Sequence, residues 1–382
     1  MKIITTEKIP IKSWCNNPEE GCIKQAKNLA NLPFAFKHIA LMPDCHQGYG
    51  MPIGGVLATK GYIIPNAVGV DIGCGMMATK TNLKASEQTP EKLKKYMERI
   101  REMVPLGFTR NMERCNSSLM PRLDDTMPVV EREFENARKQ MGTLGGGNHF
   151  IELQKDTTDN MWVMVHTGSR NLGKKVADYY NEKAIEITSQ CFSKVEPEWE
   201  LAFLKENTDW GRYYIREMTF CIDFAIRNRK MIMEKIMHCL DAQVKNQIEI
   251  AHNYAQVESH FGENVWVHRK GAVLAKEGIR GIIPGSQGTK SYITEGLGNK
   301  LSFDSCSHGA GRAMGRKEAM RRLNIEEEIK MMDAKGIIHG MRSTEELDEA
   351  PSAYKNIDIV MEEQKDLVKI REELTPMAVI KA

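Results

Sequence analysis

Asp71 and Cys74 lie three residues apart in Gly69-Val-Asp-Ile-Gly-Cys-Gly75, where glycines on both sides allow the tight turn needed to aim a carboxylate and a thiol at one ion. His149 closes the glycine-rich run Gly142-Thr-Leu-Gly-Gly-Gly-Asn-His149, His166 follows the apolar run Trp162-Val-Met-Val165, and His252 sits in Ala251-His-Asn-Tyr254. Ordering that much glycine costs backbone entropy that a bound ligand or close packing must offset. One carboxylate, one thiolate and three imidazoles form a donor set of mixed hardness, which suits a first-row divalent cation far better than magnesium or calcium. A thiolate can bridge two ions, so a two-metal centre fits the same residues. Taken singly, each has an ordinary structural explanation: a strand-end histidine is usually just hydrogen-bonded, and a free cysteine is usually a small buried hydrophobe. Their shared placement beside glycine or a strand end makes them a set.

Ser307-His-Gly-Ala-Gly-Arg312 is of another kind. Gly309 and Gly311 leave room for a large substrate beside the His308 imidazole, and Arg312 is a natural phosphate partner. A histidine so placed can act as a nucleophile toward phosphorus. The alternative is a helix start capped by Ser305 or Ser307, itself a phosphate-binding feature. Basic runs adjoin three such segments: Arg170, Lys174 and Lys175 after His166, Arg269 and Lys270 after His268, and Arg312, Arg316 and Lys317 after His308. Together they favour a phosphate-rich substrate.

The elements that must position these residues are legible in part. The chain has 382 residues, 41% hydrophobic and 27% charged, which is ample for a substantial core. Its net charge of +2 gives no general drive toward nucleic acid, so any polyanion site must be a local patch. Nine scattered cysteines do not form a disulfide framework and predict a reducing, cytoplasmic setting. With no apolar leader and no apolar run near the roughly 20 residues of a bilayer span, the expectation is a protein neither exported nor membrane-bound.

Glycine concentrates in six clusters, at 48–55, 69–75, 142–147, 168–173, 281–288 and 309–315. Between them, residues 89–104 read as a helix, with Thr89 as cap, Pro90 at the first position and Leu93, Met97, Ile100 and Val104 at helical spacing. Residues 210–240 are again periodic, one helix or two, with His252 expected at the close of that helical stretch. Residues 162–165 and 265–267 are too short for helices and read as strands. The prediction is an α+β fold: one catalytic domain over 1–382, with a mixed β-sheet core, glycine-rich active-site loops and peripheral helical insertions near 86–140 and 174–250.

Taken together, Asp44-Cys-His-Gln-Gly-Tyr-Gly-Met-Pro-Ile-Gly-Gly55, Gly69-Val-Asp-Ile-Gly-Cys-Gly75, Gly145-Gly-Gly-Asn-His-Phe150, His166-Thr-Gly-Ser-Arg170, His268-Arg-Lys-Gly271 and Ser307-His-Gly-Ala-Gly-Arg312 resemble the RtcB family of RNA-splicing ligases, in family order. The likeness runs from about Lys12 to the C-terminus, and the compact length is similar to the bacterial branch. The resemblance implies an enzyme that uses GTP and two manganese ions to join RNA 3′-phosphate or 2′,3′-cyclic phosphate ends to 5′-hydroxyl ends, in transfer-RNA splicing or RNA repair. It implies that Asp71, Cys74, His149, His166 and His252 are the metal ligands, with Cys74 bridging, and that His308 carries GMP. Asn148, Glu152, Ser286, Ala310, Gly311, Tyr354 and Lys381 match guanine-nucleotide contacts, and Asp44, Arg170, Arg269 and Lys270 match polar residues around the active site. Lys381 lies in the closing Val-Ile-Lys-Ala, where relatives commonly end in glycine. Cleaved RNA is the implied partner, and the need for an archease-like activator stays open. Two other classes remain in view: a two-metal phosphoesterase or nuclease, and a non-catalytic RNA-binding member of the fold.

Overall fold

The computed structural model describes residues 1–124, 126–191 and 195–381. Two sheets form its centre. The first has six strands in the order Lys2–Ile4, Ile11–Ser13, Ala35–His46, Ile53–Thr59, Glu263–Lys270 and Asn253–His260. The second has seven, in the order Val244–Ala251, Gly75–Lys84, Asn160–Thr167, Phe150–Asp156, Val368–Lys381, Ser291–Gly296 and Arg280–Ile283. Neighbours run antiparallel except Ile11–Ser13 beside Ala35–His46, which run parallel.

The central strands are apolar on both faces because both faces are covered. Met76, Ala78, Trp162 and Met164 of the second sheet meet Ala40, Met42, Val56 and Ala58 of the first in one buried core. The alternate residues Met77, Val163 and Val165 point the other way, into a second core closed by Leu93, Met97 and Ile100 and by Ile232 and Ile236. On the far side of the first sheet, Leu41 and Leu57 pack against Ala26 and Leu29 of helix Glu20–Ala30. The order of layers is helix, sheet, sheet, helix, and side chains alternating with period two supply both interfaces.

The helix predicted over 89–104 is present as Pro90–Met103, and the Thr89 hydroxyl accepts the Lys92 N–H at 3.4 Å, the capping the sequence suggested. The stretch 210–240 is a single 32-residue helix, Asp209–Leu240, that ends at Asp241 in the left-handed region. Two expectations fail nearby. The second insertion does not reach residue 250, and His252 does not close a helix: Val244–Ala251 is a strand, signalled by the alternation of Ile248 and Ile250 with Gln247 and Glu249. His252 is the single residue between Val244–Ala251 of the second sheet and Asn253–His260 of the first, where the chain crosses from one sheet to the other.

The segment after Ser307 also differs from the helix reading. Ser305–Ser307 is a strand paired with Ala272–Leu274, and a helix begins only at Arg316, with Gly315 before it. Gly309 and Gly311, the latter at φ +73°, disfavour a helix where His308 sits.

Candidate active site and metal centre

The five predicted ligands converge where the sheets meet. Asp71 and Cys74 face each other across a turn closed by Cys74 N–H on the Asp71 carbonyl at 3.1 Å, with Gly73 at φ +73°. His149 follows the glycine turn, His166 lies near the end of strand Asn160–Thr167, and His252 is fixed at the crossover by its N–H on the Cys74 carbonyl at 2.8 Å. Cys74, His166 and His252 present ligand atoms all within 4.8 Å of one another, and Asp71, Cys74 and His149 do the same. Cys74 belongs to both triads, which is the arrangement a bridging sulfur needs.

The donor set fits cations. His149 Nδ1 donates to the Leu144 carbonyl at 3.1 Å and His166 Nδ1 to the Asn148 carbonyl at 3.1 Å, which turns both Nε2 lone pairs inward. His149 Nε2 then lies 3.0 Å from Asp71 Oδ2, and His166 Nε2 lies 3.4 Å from His252 Nε2 and 3.2 Å from Cys74 Sγ. Lone pairs held face to face repel unless a proton or a metal ion stands between them. Burial, reinforced by neighbouring imidazoles, holds His166 and His252 well below the usual histidine range, so both are neutral and ready to ligate. Burial pushes the Asp71 carboxyl up, but where a proton stands in the place of a cation between His149 Nε2 and Asp71, the hydrogen bond and charge of that protonated ring outweigh burial and bring the group down to about 2. Burial and the Asp71 carboxylate push the Cys74 thiol well above its ordinary range, so loading a cation there must displace a proton.

The ligand loops are braced from behind by the long helix. Arg229, fully buried, donates to the Gly73 carbonyl at 2.9 Å and the Thr167 carbonyl at 2.8 Å, and pairs with Glu249. Asn228 accepts from the N–H of Gly142 at 2.7 Å and donates to the carbonyl of Gly168 at 3.3 Å. Two adjacent side chains thus tie together the segments that carry Cys74, His149 and His166. Asn253 adds a bond to the Asp71 carbonyl at 3.2 Å. Gly168 is required because a Cβ there would collide with the Asp71 carboxylate. Arg170 lies against the same loop, its guanidinium 3.4 Å from His149 Nδ1 and 3.4 Å from the Gly107 carbonyl.

His308 stands apart from the triads but beside them, its ring centroid 4.9 Å from that of His252. Asp44 Oδ2 accepts from His308 Nδ1 at 2.7 Å and from the backbone N–H groups of His308 and Gly309 at 3.0 and 3.2 Å. Burial pushes the Asp44 carboxyl up, yet the His308 charge and hydrogen bond leave it below the ordinary range, so it stays an anion. With Nδ1–H committed to Asp44, Nε2 is the nitrogen that carries the lone pair of the neutral His308 ring. This is the second carboxylate–histidine pair of the site, after Asp71–His149.

A cavity of about 200 Å³ opens from His308 and is lined by the expected nucleotide contacts Asn148, Glu152, Ser286, Ala310, Gly311, Tyr354 and Lys381. Burial pushes the Glu152 carboxyl up to about 8, and Gln154 hydrogen-bonds it. Glu349, which sequence reasoning missed, is the hub at the far end: it pairs with Lys381 at 2.7 Å, Arg316 at 2.9 Å and Arg312 at 3.1 Å, and Tyr354 donates to it. Burial raises the Glu349 carboxyl, but the Lys381 and Arg316 charges bring it down to about 2. Nothing in Leu347-Asp-Glu-Ala350 signals this role.

An open cleft of about 810 Å³ reaches His308 and the metal ligands from the other side, and His46, His252, Arg312 and Arg316 line both cavities. His46 appeared in the sequence motif without a role of its own. Of the other basic candidates, Arg269 is fully buried and bonded to Glu258, Tyr254, Ser305 and the Phe303 carbonyl, one layer behind the cleft. Lys270 lines the cleft, but its ammonium donates to the carbonyls of Tyr49 at 2.6 Å and Asn66 at 2.9 Å. His268 is structural, donating to the Leu57 carbonyl and accepting from Ile64 N–H. Lys174 forms a surface pair with Asp178. Lys381 closes a strand, and Ala382 after it lies outside the described residues.

Comparison with known proteins agrees with this geometry. Residues 25–126 and 110–382 match the family described as tRNA-splicing ligase RtcB. The chain is 40% identical to the RNA-splicing ligase RtcB of Escherichia coli K12 over 400 aligned positions, covering 97% of this chain and 96% of that protein. It is 32% identical to the tRNA-splicing ligase RtcB of Methanococcus maripaludis, covering 96% and 92%, and 28% identical to the RNA-splicing ligase RtcB of Mycobacterium bovis, covering 94% and 100%. With the family model matched over residues 25–126 and 110–382 and a relative 40% identical over 97% of its length, the chain belongs to the RtcB family.

Proposed function

We propose that this chain is a GTP- and manganese-dependent RNA ligase that joins RNA 3′-phosphate or 2′,3′-cyclic phosphate ends to 5′-hydroxyl ends through GMP bonded to His308. The observation that carries this reading is the juxtaposition of two triads sharing Cys74 with a histidine whose Nδ1 is fixed by Asp44.

Asp71, Cys74 and His149 would hold one ion and Cys74, His166 and His252 the other, and when bound these supply positive charge against triphosphate and phosphoryl oxygens. His308 Nε2 attacks the α-phosphorus of GTP: an N–P bond forms, the P–O bond to pyrophosphate breaks, and Asp44 stabilises the positive imidazole through Nδ1–H. An oxygen of the RNA 3′-phosphate then takes GMP as the N–P bond breaks. The 5′-hydroxyl attacks that activated 3′-phosphorus, GMP departs with the electron pair, and the hydroxyl proton is released.

Functional groups from Asp44 to Lys381 serve this one centre, which supports reading 1–382 as a single catalytic domain. All nine cysteines are free thiols, in keeping with a reducing cytoplasm, and among the described residues no helix is long and apolar enough to cross a membrane. A two-metal phosphoesterase would use the triads but leave the Asp44–His308 pair and the nucleotide cavity without work.

The test is joining of a 3′-phosphate RNA to a 5′-hydroxyl RNA. Product should require both GTP and manganese, and release of inorganic phosphate without joined product would overturn the ligase reading.

A further inference from the structure

The open cleft leading to His308 carries an aromatic side chain that no step above uses. Tyr49 is 75% exposed, and among the described residues lining that cleft it is the only tyrosine, phenylalanine or tryptophan. Val70, 52% exposed and next in sequence to Asp71, lines the same cleft.

The backbone beneath Tyr49 is pinned at every neighbouring residue. Gln25 bonds both polar groups of Gly48, at 2.6 and 3.0 Å. Glu200 accepts the Gly50 N–H at 3.0 Å. The buried Lys270 ammonium reaches the Tyr49 carbonyl at 2.6 Å and, by its second bond at 2.9 Å to the Asn66 carbonyl, ties this loop to the helix Pro65–Val68 that precedes Val70. Gly50, at φ +64°, approaches Glu200 so closely that a Cβ would strike its carbonyl. Three polar side chains thus hold rigid a loop whose own aromatic side chain stays mostly in solvent. Conformational entropy already removed from a loop need not be lost again on binding, the arrangement that favours a ligand from outside.

We propose that Tyr49 is a stacking platform for an unpaired nucleobase of the RNA near the ends being joined. This rests on the ligase reading. An aromatic face suits any base, so the platform would add affinity without fixing sequence.

The experiment measures dissociation constants of the full-length protein for two single-stranded RNAs, one ending in a 5′-hydroxyl and one in a 3′-phosphate, by fluorescence anisotropy. Stacking on one base is worth about 5- to 150-fold in affinity, so Tyr49→Ala should weaken one strand by that factor while its thermal midpoint stays at the wild-type value. Tyr49→Phe should retain wild-type affinity, because the ring and not the hydroxyl carries the contact. Replacing the terminal two nucleotides of the affected strand by abasic sites should erase the difference between wild type and Tyr49→Ala. Equal affinity of wild type and Tyr49→Ala for both strands overturns the platform, as does a Tyr49→Ala loss that persists on abasic RNA. Failure of the wild type to join RNA is a separate result that overturns the ligase reading, because binding is measured without joining.

Discussion

The Cys74 cluster proposed to hold metal and the Glu349 cluster lie at opposite ends of one candidate site, and they handle charge in opposite ways. Around Glu349, three cations and a tyrosine hydroxyl surround one carboxylate, which is fully partnered inside the protein while the cluster keeps a surplus of positive charge. Around Cys74, lone pairs of a carboxylate, a thiol and three imidazoles are turned toward one another by hydrogen bonds made on their far sides. A carboxylate with its partners already in place, and positive charge to spare, is preorganised for an anionic ligand that trades partners with it, as a nucleotide can. A cluster of facing lone pairs is unsatisfied until cations arrive. The first kind of site should change gradually when altered and the second all at once.

Cys74→Ala tests that contrast most severely. Because both triads share this sulfur, the variant should lose both ions together, with manganese content by elemental analysis falling to background. Retention of one full equivalent would show that the sulfur does not bridge.

Arg229→Met attacks the brace instead of the ligands. The change leaves the Gly73 and Thr167 carbonyls of the ligand loops without their donor and removes the partner of the part-exposed Glu249, so denaturant unfolding should show a loss of about 2–6 kcal/mol, with reduced metal content. Unchanged stability and metal content would mean that helix Asp209–Leu240 merely covers the sheet.

At the nucleotide end, Glu152 gives a pH-dependent effect. In the folded chain its carboxyl stays protonated up to about 8, whereas the unfolded chain releases the proton near the ordinary 4.5. The folded state therefore holds the extra proton between those values, and stability falls as pH rises through that window. Glu152→Gln removes this slope. From pH 5 to 8 the wild type should lose a few kcal/mol more than the variant, at roughly 1.4 kcal/mol per unit. Parallel stability curves would contradict a protonated Glu152.

Lys381→Ala should be the mildest change. Glu349 keeps Arg312 and Arg316, so GTP-dependent labelling should weaken about tenfold, the value of one charged hydrogen bond, with manganese content unchanged.

The same contrast explains what the sequence disclosed. Asp71, Cys74, His149 and His308 were legible because their placement needs glycine at particular points, and glycine is visible in a sequence. Helix Pro90–Met103 was legible because Thr89 and Pro90 mark its start locally. His252 was visible as a residue but not in its setting, because a one-residue crossover between sheets is decided by pairing with strands far away in sequence. Arg229 sits in Arg227-Asn-Arg-Lys230, which reads as a solvated helix face until the helix is seen lying on the ligand loops. Glu349 gains its meaning from Lys381, Arg312 and Arg316, brought to it by a strand and a loop that local sequence does not connect.

The division of labour among the histidines, with three holding metal and His308 carrying the nucleotide, is the centre of this account. Its most direct test is to incubate the protein with manganese and GTP labelled at the α-phosphate and look for an acid-labile covalent adduct. The account predicts labelled wild type and unlabelled His308→Ala that still binds manganese. Equal labelling of the two proteins would contradict it.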